Sequence, residues 1–441
     1  MQSIPNGGEI YRATRRLPWP GIAAVIVSVV HLSRGPLAGA RTLDGKAVAA
    51  ISAFLVPGTM HDDPVRLRAN ADRQFEGVKV NGTGFIFDPA STDDSGLGPP
   101  GKPTSIHRME ELFAAHPHYR EVVMPYIGGE EVNASPTHSA HRWVINFGTR
   151  LENECLLRYP HLLEIVRQKV KPNRDTNNRD LQKRLWWQFE HGRAELYAAI
   201  AGLDRVLVTC IHTPHLSFAF LPKMSVFSHA LIVVPFQSHA AFASLQSRAH
   251  EMWARFFGSS MKDDLRYTPS DCFETFPFPE AWEARPDLEA AGQAYYDFRA
   301  VLMVQRNEGL TKTYNRFHDP DDRDPQIARL RALHGEMDRA VLDAYGWTDV
   351  PVACAFIEEN PAAEGEGAPA TGRAARRKYR YRWPDAVREE VLGRLLELNR
   401  VRAEAERLAG PGTGGPTRGR GRTRGGAGPS VTGGSGQAQL F

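Results

Sequence analysis

Between positions 205 and 279 the chain alternates apolar runs of strand length with turns rich in Pro and Ser, and no other stretch restricts the possible fold so tightly. The runs 206–211, 216–221 and 230–236 predict a small meander of half-buried strands. Ser238 then caps a helix whose apolar positions Phe242, Leu245, Ala249 and Trp253 keep helical spacing until Gly258 stops it. Strand ends and turns carry Arg205, His212, His215, Lys223, Ser225, Ser228, His229, Arg266 and Tyr267. That set predicts a polar reading surface without the makings of a catalytic dyad.

At 441 residues the chain can bury a full core, and about two to three domains is the expectation from length. A hydrophobic content of 42% with 24% charged residues belongs to globular proteins and argues against a disordered or membrane-spanning chain. The apolar run 23–32 is about half of what a membrane span needs, so a strand buried on both faces is expected there. No signal-peptide pattern is present, which points to cytoplasmic residence. Cys155, Cys210, Cys272 and Cys354 lie far apart and match no metal-ligand spacing; small buried thiols are expected, with neither zinc nor disulfides. With a net charge of only +3, basic side chains matter here only where they cluster.

Along the chain, 9–34 reads as a short strand, the turn LPWPG and the long apolar strand, and 1–35 looks like the severed edge of a larger sheet. The strands AVAAISAFL and FEGVKVNGTGFIF flank the polar stretch VRLRANADRQ, and a Pro/Gly/Asp-rich loop, 88–103, comes after them. Ser105 caps a helix carrying Ile106, Met109 and Phe113; a strand RWVINF and a helix around Leu162, Ile165 and Val166 come next. Lys169, Lys171, Arg174, Arg179, Lys183 and Arg184 then crowd one loop that ends in Trp186 and Trp187, a composition suited to a phosphate backbone. Arg266 and Tyr267, in the turn LRYTPSD, join them as phosphate candidates, while Trp186, Trp187, Trp253 and Phe276 are expected in the core.

After 279 the pattern becomes helical. Leu288, Ala291, Tyr295, Phe298 and Leu302 behind Pro286 form a narrow seam for a partner helix, and Ile327, Leu330, Leu333, Met337 and Val341 come after Pro325, with Gly346 placed to end that helix. An Ala/Glu/Gly/Pro run, 361–371, reads as a linker; Arg373, Arg376, Arg377, Lys378, Arg380 and Arg382 surround Tyr379, Tyr381 and Trp383; a helix with Val387, Val391, Leu395 and Leu398 on one face starts at Pro384. The tail, with Arg418, Arg420, Arg422 and Arg424 between Gly and Thr, cannot bury enough apolar surface to fold, and a non-specific nucleic-acid contact is its sharper reading. The expected class is α+β: a mixed, β-rich domain over 36–279, a helical spacer over 280–350, a linker with a basic cluster over 351–383, a basic amphipathic helix over 384–408, and a disordered Gly/Arg-rich tail over 409–441.

Reaction centres are missing from the sequence. A nucleotide-amino methyltransferase needs an N/D-P-P-aromatic turn, but Asn360-Pro361 is followed by Ala-Ala. Gly82-Thr83-Gly84 follows a strand yet leads into Phe85-Ile86-Phe87 instead of a helix that could meet a cofactor. Asp44-Gly45-Lys46 has the acid-x-Lys pair of a metal-dependent nuclease without a suitable preceding acid, and His116, His118, His138 and His141 read as surface histidines. No catalytic or metal-binding residue is assigned.

Several long segments nonetheless resemble a known family: LPWPGIAAVIVSVV, RLRANADRQFEGV, PYIGGEEVN, HRWVINF, KRLWWQF, DRVLV, FASLQSRAHEMWARFFGSSMKDDLRYTPSDCFETFPFP, NEGLTKTYNRFHDP and LRALHGEMDRAVLDAYGW. Together, over about 10–347, they are similar to the C-terminal half of MmeI-like restriction-modification proteins, single chains joining a nuclease, an adenine methyltransferase and a target recognition domain. The resemblance implies that 36–279 is such a recognition domain, that the partner is double-stranded DNA, and that S-adenosylmethionine serves a methyltransferase domain absent from these residues, supplied by a missing N-terminal half or a separate methyltransferase or nuclease subunit. On that reading Arg205, His212, His215, Lys223, Ser225, Ser228 and His229 are candidates for base reading, and Lys169, Lys171, Arg174, Arg179, Lys183, Arg184, Arg266 and Tyr267 for phosphates. An active adenine-specific methyltransferase and a helical interaction subunit docking through 288–302 are the alternatives.

Overall fold

A computed structural model describes residues 8–18, 26–35, 37–58, 62–261, 264–359 and 378–410. Most of LPWPG, the linker 361–371, Arg373, Arg376, Arg377 and the Arg/Gly tail lie outside the described residues. The chain mixes helices and sheets, as expected for α+β.

Two sheets carry the central body. The first orders Val226–Phe227, Val123–Ile127, Arg142–Ile145, Ile86–Asp88 and Thr104–Ser105, with its long central pair antiparallel. Helices Ile106–Ala115 and Pro160–Lys169 share its apolar cluster, where Phe85, Phe87, Leu112, Val144 and Leu162 are buried. Ser105 caps the first of them by accepting from the Arg108 amide at 3.1 Å.

The second sheet orders Ala219–Pro222, Arg205–Cys210, Leu231–Val234 and Phe75–Glu76. The expected meander is therefore not formed: Arg205–Cys210 lies in the middle, antiparallel to both Ala219–Pro222 and Leu231–Val234. Nor are these strands half-buried. Leu207, Val208, Ile232 and Val233 are all sealed, because their runs are continuously apolar and are covered on both faces. Gly77 joins the two sheets: a Cβ there would lie 2.2 Å from the Ser228 carbonyl oxygen, so the backbones approach this closely only with glycine.

The single helix expected after Ser238 is two, His239–Gln246 and Arg248–Phe257. Ser247 between them is extended, and its hydroxyl accepts from the His250 amide at 3.3 Å, so a second cap interrupts an apolar spacing that continues across the break.

Helices Pro286–Arg306, Leu310–Phe317, Pro325–Ala344 and Asp385–Leu408 complete the body, and one apolar cluster runs from Val206 and Val233 through Leu288 and Leu330 to Leu395. The seam at Leu288, Tyr295 and Leu302 is filled by this chain's own helices. Gly292 permits the crossing, since a Cβ there would meet the His239 carbonyl oxygen at 2.2 Å. Buried Asn70, in the polar stretch 65–74, donates its amide to the carbonyls of Phe273, Glu274 and Phe276, tying that stretch to the FPFP turn.

At the N-terminal end, Ile26–Ser33, Glu9–Pro18, Arg41–Leu43 and Lys46–Val48 form a separate sheet in that order. Ile26–Ser33 is its edge, and Val29, Val30 and Leu32 are 44%, 37% and 58% exposed, so the two-sided burial expected for this run is not what the described residues have. The strands expected at 47–55 and 75–87 shrink to Lys46–Val48 and to the ends Phe75–Glu76 and Ile86–Asp88. Asp44-Gly45 is a hairpin turn with both residues left-handed, and its carboxylate pairs with Arg15, which accounts for the apparent acid-x-Lys pair. Among the described residues no helix is long and apolar enough to cross a membrane.

Candidate nucleic-acid interface

The basic segment is not one loop. Lys171–Asp175 and Asp180–Arg184 are short helices, and the guanidinium of Arg174 is the peg that joins the turn 185–188 to the backbone at Val80. It donates to the carbonyls of Leu185, Trp186, Gln188 and Val80, and burial lowers its pKa to about 10, which still leaves it charged at neutral pH. Lys169 is sealed as well, paired with Asp93 and donating to the Pro103 carbonyl at 2.9 Å. Both were phosphate candidates; both are committed inside the fold because a buried cation must find acceptors. Trp186 and Trp187 are buried edge to face, with Trp187 Nε1 donating to the Arg150 carbonyl at 2.9 Å.

The remaining cations of the segment are on the surface. Lys171 is held by Asp175 and Arg179 by Glu190, while Lys183 and Arg184 are exposed and carry no ion pair among the described residues. Arg266 is exposed too. It stands opposite His212 in the ladder between Asp264–Arg266 and His212–Thr213, which brings one phosphate candidate and one base-reading candidate onto the same ribbon.

Tyr267 next to it is fully buried; its hydroxyl meets His250 Nε2 at 2.9 Å, and burial pushes its pKa well up. His215, Ser225 and Ser228 are buried, so the polar surface expected of the turns is smaller than the sequence suggested. His215 Nε2 meets Asn315 at 2.8 Å, the Ser225 carbonyl accepts from the Tyr197 hydroxyl at 3.5 Å, and the Ser228 hydroxyl accepts from the Ala230 amide at 3.3 Å. Lys223 donates to the Ala201 carbonyl at 2.9 Å. Arg205 caps the Gln237 carbonyl and lies 3.8 Å over the Phe220 ring. His229 stays exposed beside the junction of the sheets. His138, expected at the surface, is buried with Nδ1 at 2.9 Å from the Val132 carbonyl.

Sequence reading missed a cleft of about 730 Å³ that opens beside the helix Asp180–Arg184. Arg179 and Gln182 line it together with Asn146, Thr149, Gln188 and His191, the side-chain types that read or position a nucleic acid. Arg193, also in the wall, pairs with Glu76 and donates to the Gly77 carbonyl at 3.2 Å, which anchors the cleft to the junction of the two sheets. These residues come from two separate stretches, 146–149 and 179–193, so no local pattern announces them. Lys79 and Arg179 share Glu190, leaving one carboxylate between two cations.

S-adenosylmethionine does not fit the glycine pair that could have suggested it. A Cβ at Gly84 would lie 2.7 Å from the Lys169 Cβ and 2.8 Å from its carbonyl oxygen, so the pair exists for close packing, and it leads into the turn Thr83–Phe85 and a strand. The four cysteines are free, and among the described residues no group of three or more His, Cys, Asp or Glu could hold a metal ion.

No curated protein matches the chain. Among solved structures, the type IIL restriction-modification enzyme MmeI in complex with DNA matches with a TM-score of 0.54 at 15% identity, covering 90% of this chain. The chain spans 46% of the length of that structure. Residues 105–280, which hold the first sheet's central strands, the cleft, and the ribbon of His212 and Arg266, match the family model of the MmeI target recognition domain and are a domain of that kind.

Proposed function

We propose that this chain recognises a DNA sequence within a restriction-modification enzyme of the MmeI kind, binding duplex DNA and directing N6-adenine methylation or cleavage by catalytic domains outside these residues. The observation that carries the reading is the match of 105–280 to a target recognition domain, with Lys183 and Arg184 free of ion pairs among the described residues and a cleft beside them whose largely apolar wall also carries Asn146, Gln188 and His191. Lys183, Arg184 and Arg266 would neutralise phosphates and fix register; His212, His229 and the cleft side chains Asn146, Gln188 and His191 would meet base edges. The methyl donor would be held by the methyltransferase domain; the close packing of Gly84 against Lys169, which leaves the Gly82-Thr83-Gly84 turn no room for a cofactor, supports that reading.

The test is duplex binding by the full chain across a salt series. Log affinity is expected to fall linearly with log salt, as counterions are released from phosphates. Affinity that is absent, or that ignores salt, overturns the reading.

A further inference from the structure

Away from the cleft, the helix Arg248–Phe257, the hairpin of Ala355–Glu358 with Tyr379–Arg382, and the start of Asp385–Leu408 enclose a second cavity of about 380 Å³. Its wall sets the arginines 248, 255, 380, 382 and 388 against Glu251, Glu358 and Glu359. Many of these groups satisfy one another. Arg255 Nε donates to Glu251 at 2.9 Å, Arg380 Nε donates to Glu359 at 2.7 Å, and both guanidinium groups also donate to the Pro214 carbonyl. Arg248 Nη1 is held by Asp338 and His334, and Asp385 lies between Arg382 and Arg388. Burial alone would push the Glu251 carboxyl up, but Arg255 and Arg380 beside it hold it below the usual carboxylate range, so the network keeps its charges.

Two donors are left over. Arg248 Nη2 and Trp383 Nε1 have no hydrogen-bond partner among the described residues, although the two side chains are only 4% and 1% exposed, and both residues line the cavity. A buried donor without an acceptor is costly, and a guanidinium N–H and an indole N–H on residues that line one cavity both call for a group that accepts. Such pairs of donors suit tetrahedral oxyanions, which present several charged oxygens to one wall.

We propose that this cavity binds a small phosphate-class oxyanion, its oxygens accepting from Arg248 Nη2 and Trp383 Nε1. Room remains beyond the oxyanion itself, so a phosphomonoester and the free ion share the site's chemistry. The site is separate from the cleft: its cations come from 248–255 and 380–388, and those of the cleft from 174–193.

Isothermal titration of the full chain with inorganic phosphate, with glycerol phosphate, and with chloride at matched ionic strength tests this. Saturable binding of a phosphate species but not chloride is expected; tighter binding of the ester assigns the site to monoesters, and tighter binding of inorganic phosphate assigns it to the free ion. Trp383→Phe keeps the ring and removes the N–H, and should weaken binding about tenfold, or about 1.4 kcal/mol. Arg248→Lys keeps the charge facing Asp338 and removes the second donor, with a similar loss. Lys183→Gln with Arg184→Gln should leave phosphate affinity unchanged. The proposal is overturned if chloride does as well, if both cavity variants titrate like the parent, or if only the variant at Lys183 and Arg184 loses phosphate.

Discussion

His212 and Arg266 face each other across a two-strand ladder, both open to solvent, while the residues that follow each of them, Thr213 and Tyr267, point inward and are buried. The period of two along each strand does this: with one side anchored in the core, the other must present its side chains outward. An aromatic hydroxyl sealed against His250 thus fixes the register of the ribbon that offers a cation and an imidazole to a partner.

That pairing separates two kinds of contact. Arg266→Ala should weaken binding to every duplex alike and lower the salt slope by about 1, as loss of one phosphate contact does. His212→Ala should instead compress the difference between best and worst sites, by about 1–3 kcal/mol if the imidazole meets a base edge. Fluorescence anisotropy over a salt series and a panel of duplexes reads both. Equal effects of the two variants on slope and preference would contradict the division of roles.

Surface and buried cations of the basic segment should part in the same way. Lys183→Glu with Arg184→Glu should leave the urea midpoint nearly unchanged and depress duplex affinity, since neither side chain holds the fold. Arg174→Met should do the reverse: with the carbonyls of Leu185, Trp186, Gln188 and Val80 left without their donor, a loss of about 2–4 kcal/mol is expected. Chemical denaturation of the two variants checks this, and an unaltered midpoint for Arg174→Met would show that the peg is dispensable.

Local patterns in the sequence reported local structure well. The cap at Ser105, the strand at Arg142–Ile145 and the helices starting at Pro286 and Pro325 come from capping, period and proline placement, which need no knowledge of distant residues. What failed was whatever depends on which faces are covered. A continuous apolar run at 23–32 looks buried on both sides, yet its described part, within Ile26–Ser33, is an exposed edge; a row of Lys and Arg looks solvated, yet Lys169 and Arg174 found buried acceptors 66 and 94 residues away. The cleft was illegible for the same reason, because Asn146, Gln188 and Arg193 meet only after two sheets are joined at Gly77.

The crossing at Gly292 gives a prediction about the helices after 280. Gly292→Ala places a methyl group against the His239 carbonyl and 3.1 Å from the Ala243 Cβ, and backbone at a helix start yields little. Pushing the two helices apart should cost about 1–3 kcal/mol. A lowered denaturation midpoint is expected, with duplex affinity per folded molecule unchanged, since the crossing lies in the core shared with the second sheet; an undiminished midpoint would mean that the helices shift freely.

Stability should fall with acidity as buried histidines are forced to take up protons. His138, His215 and His250 are buried and neutral: burial first, with Arg299 and Arg380 adding to it at the first two, takes His138 and His215 down to about 4, and burial takes His250 to about 3. An unfolded histidine protonates near 6.5. Below that pH the unfolded chain binds protons that the folded chain refuses, so the stability present above 6.5 is lost progressively toward 4 for His138 and His215 and toward 3 for His250. Each unit of the gap is worth about 1.4 kcal/mol per histidine, enough for several such groups to dominate the acid limb. Urea midpoints measured from pH 8 down to 4.5 should therefore decline from about 6.5. His250→Phe removes one of the three groups and should flatten part of that decline, at the expense of the bond to Tyr267 that stabilises the parent at pH 8. A stability profile that is level between pH 7 and 5 would show that these imidazoles take up protons in place.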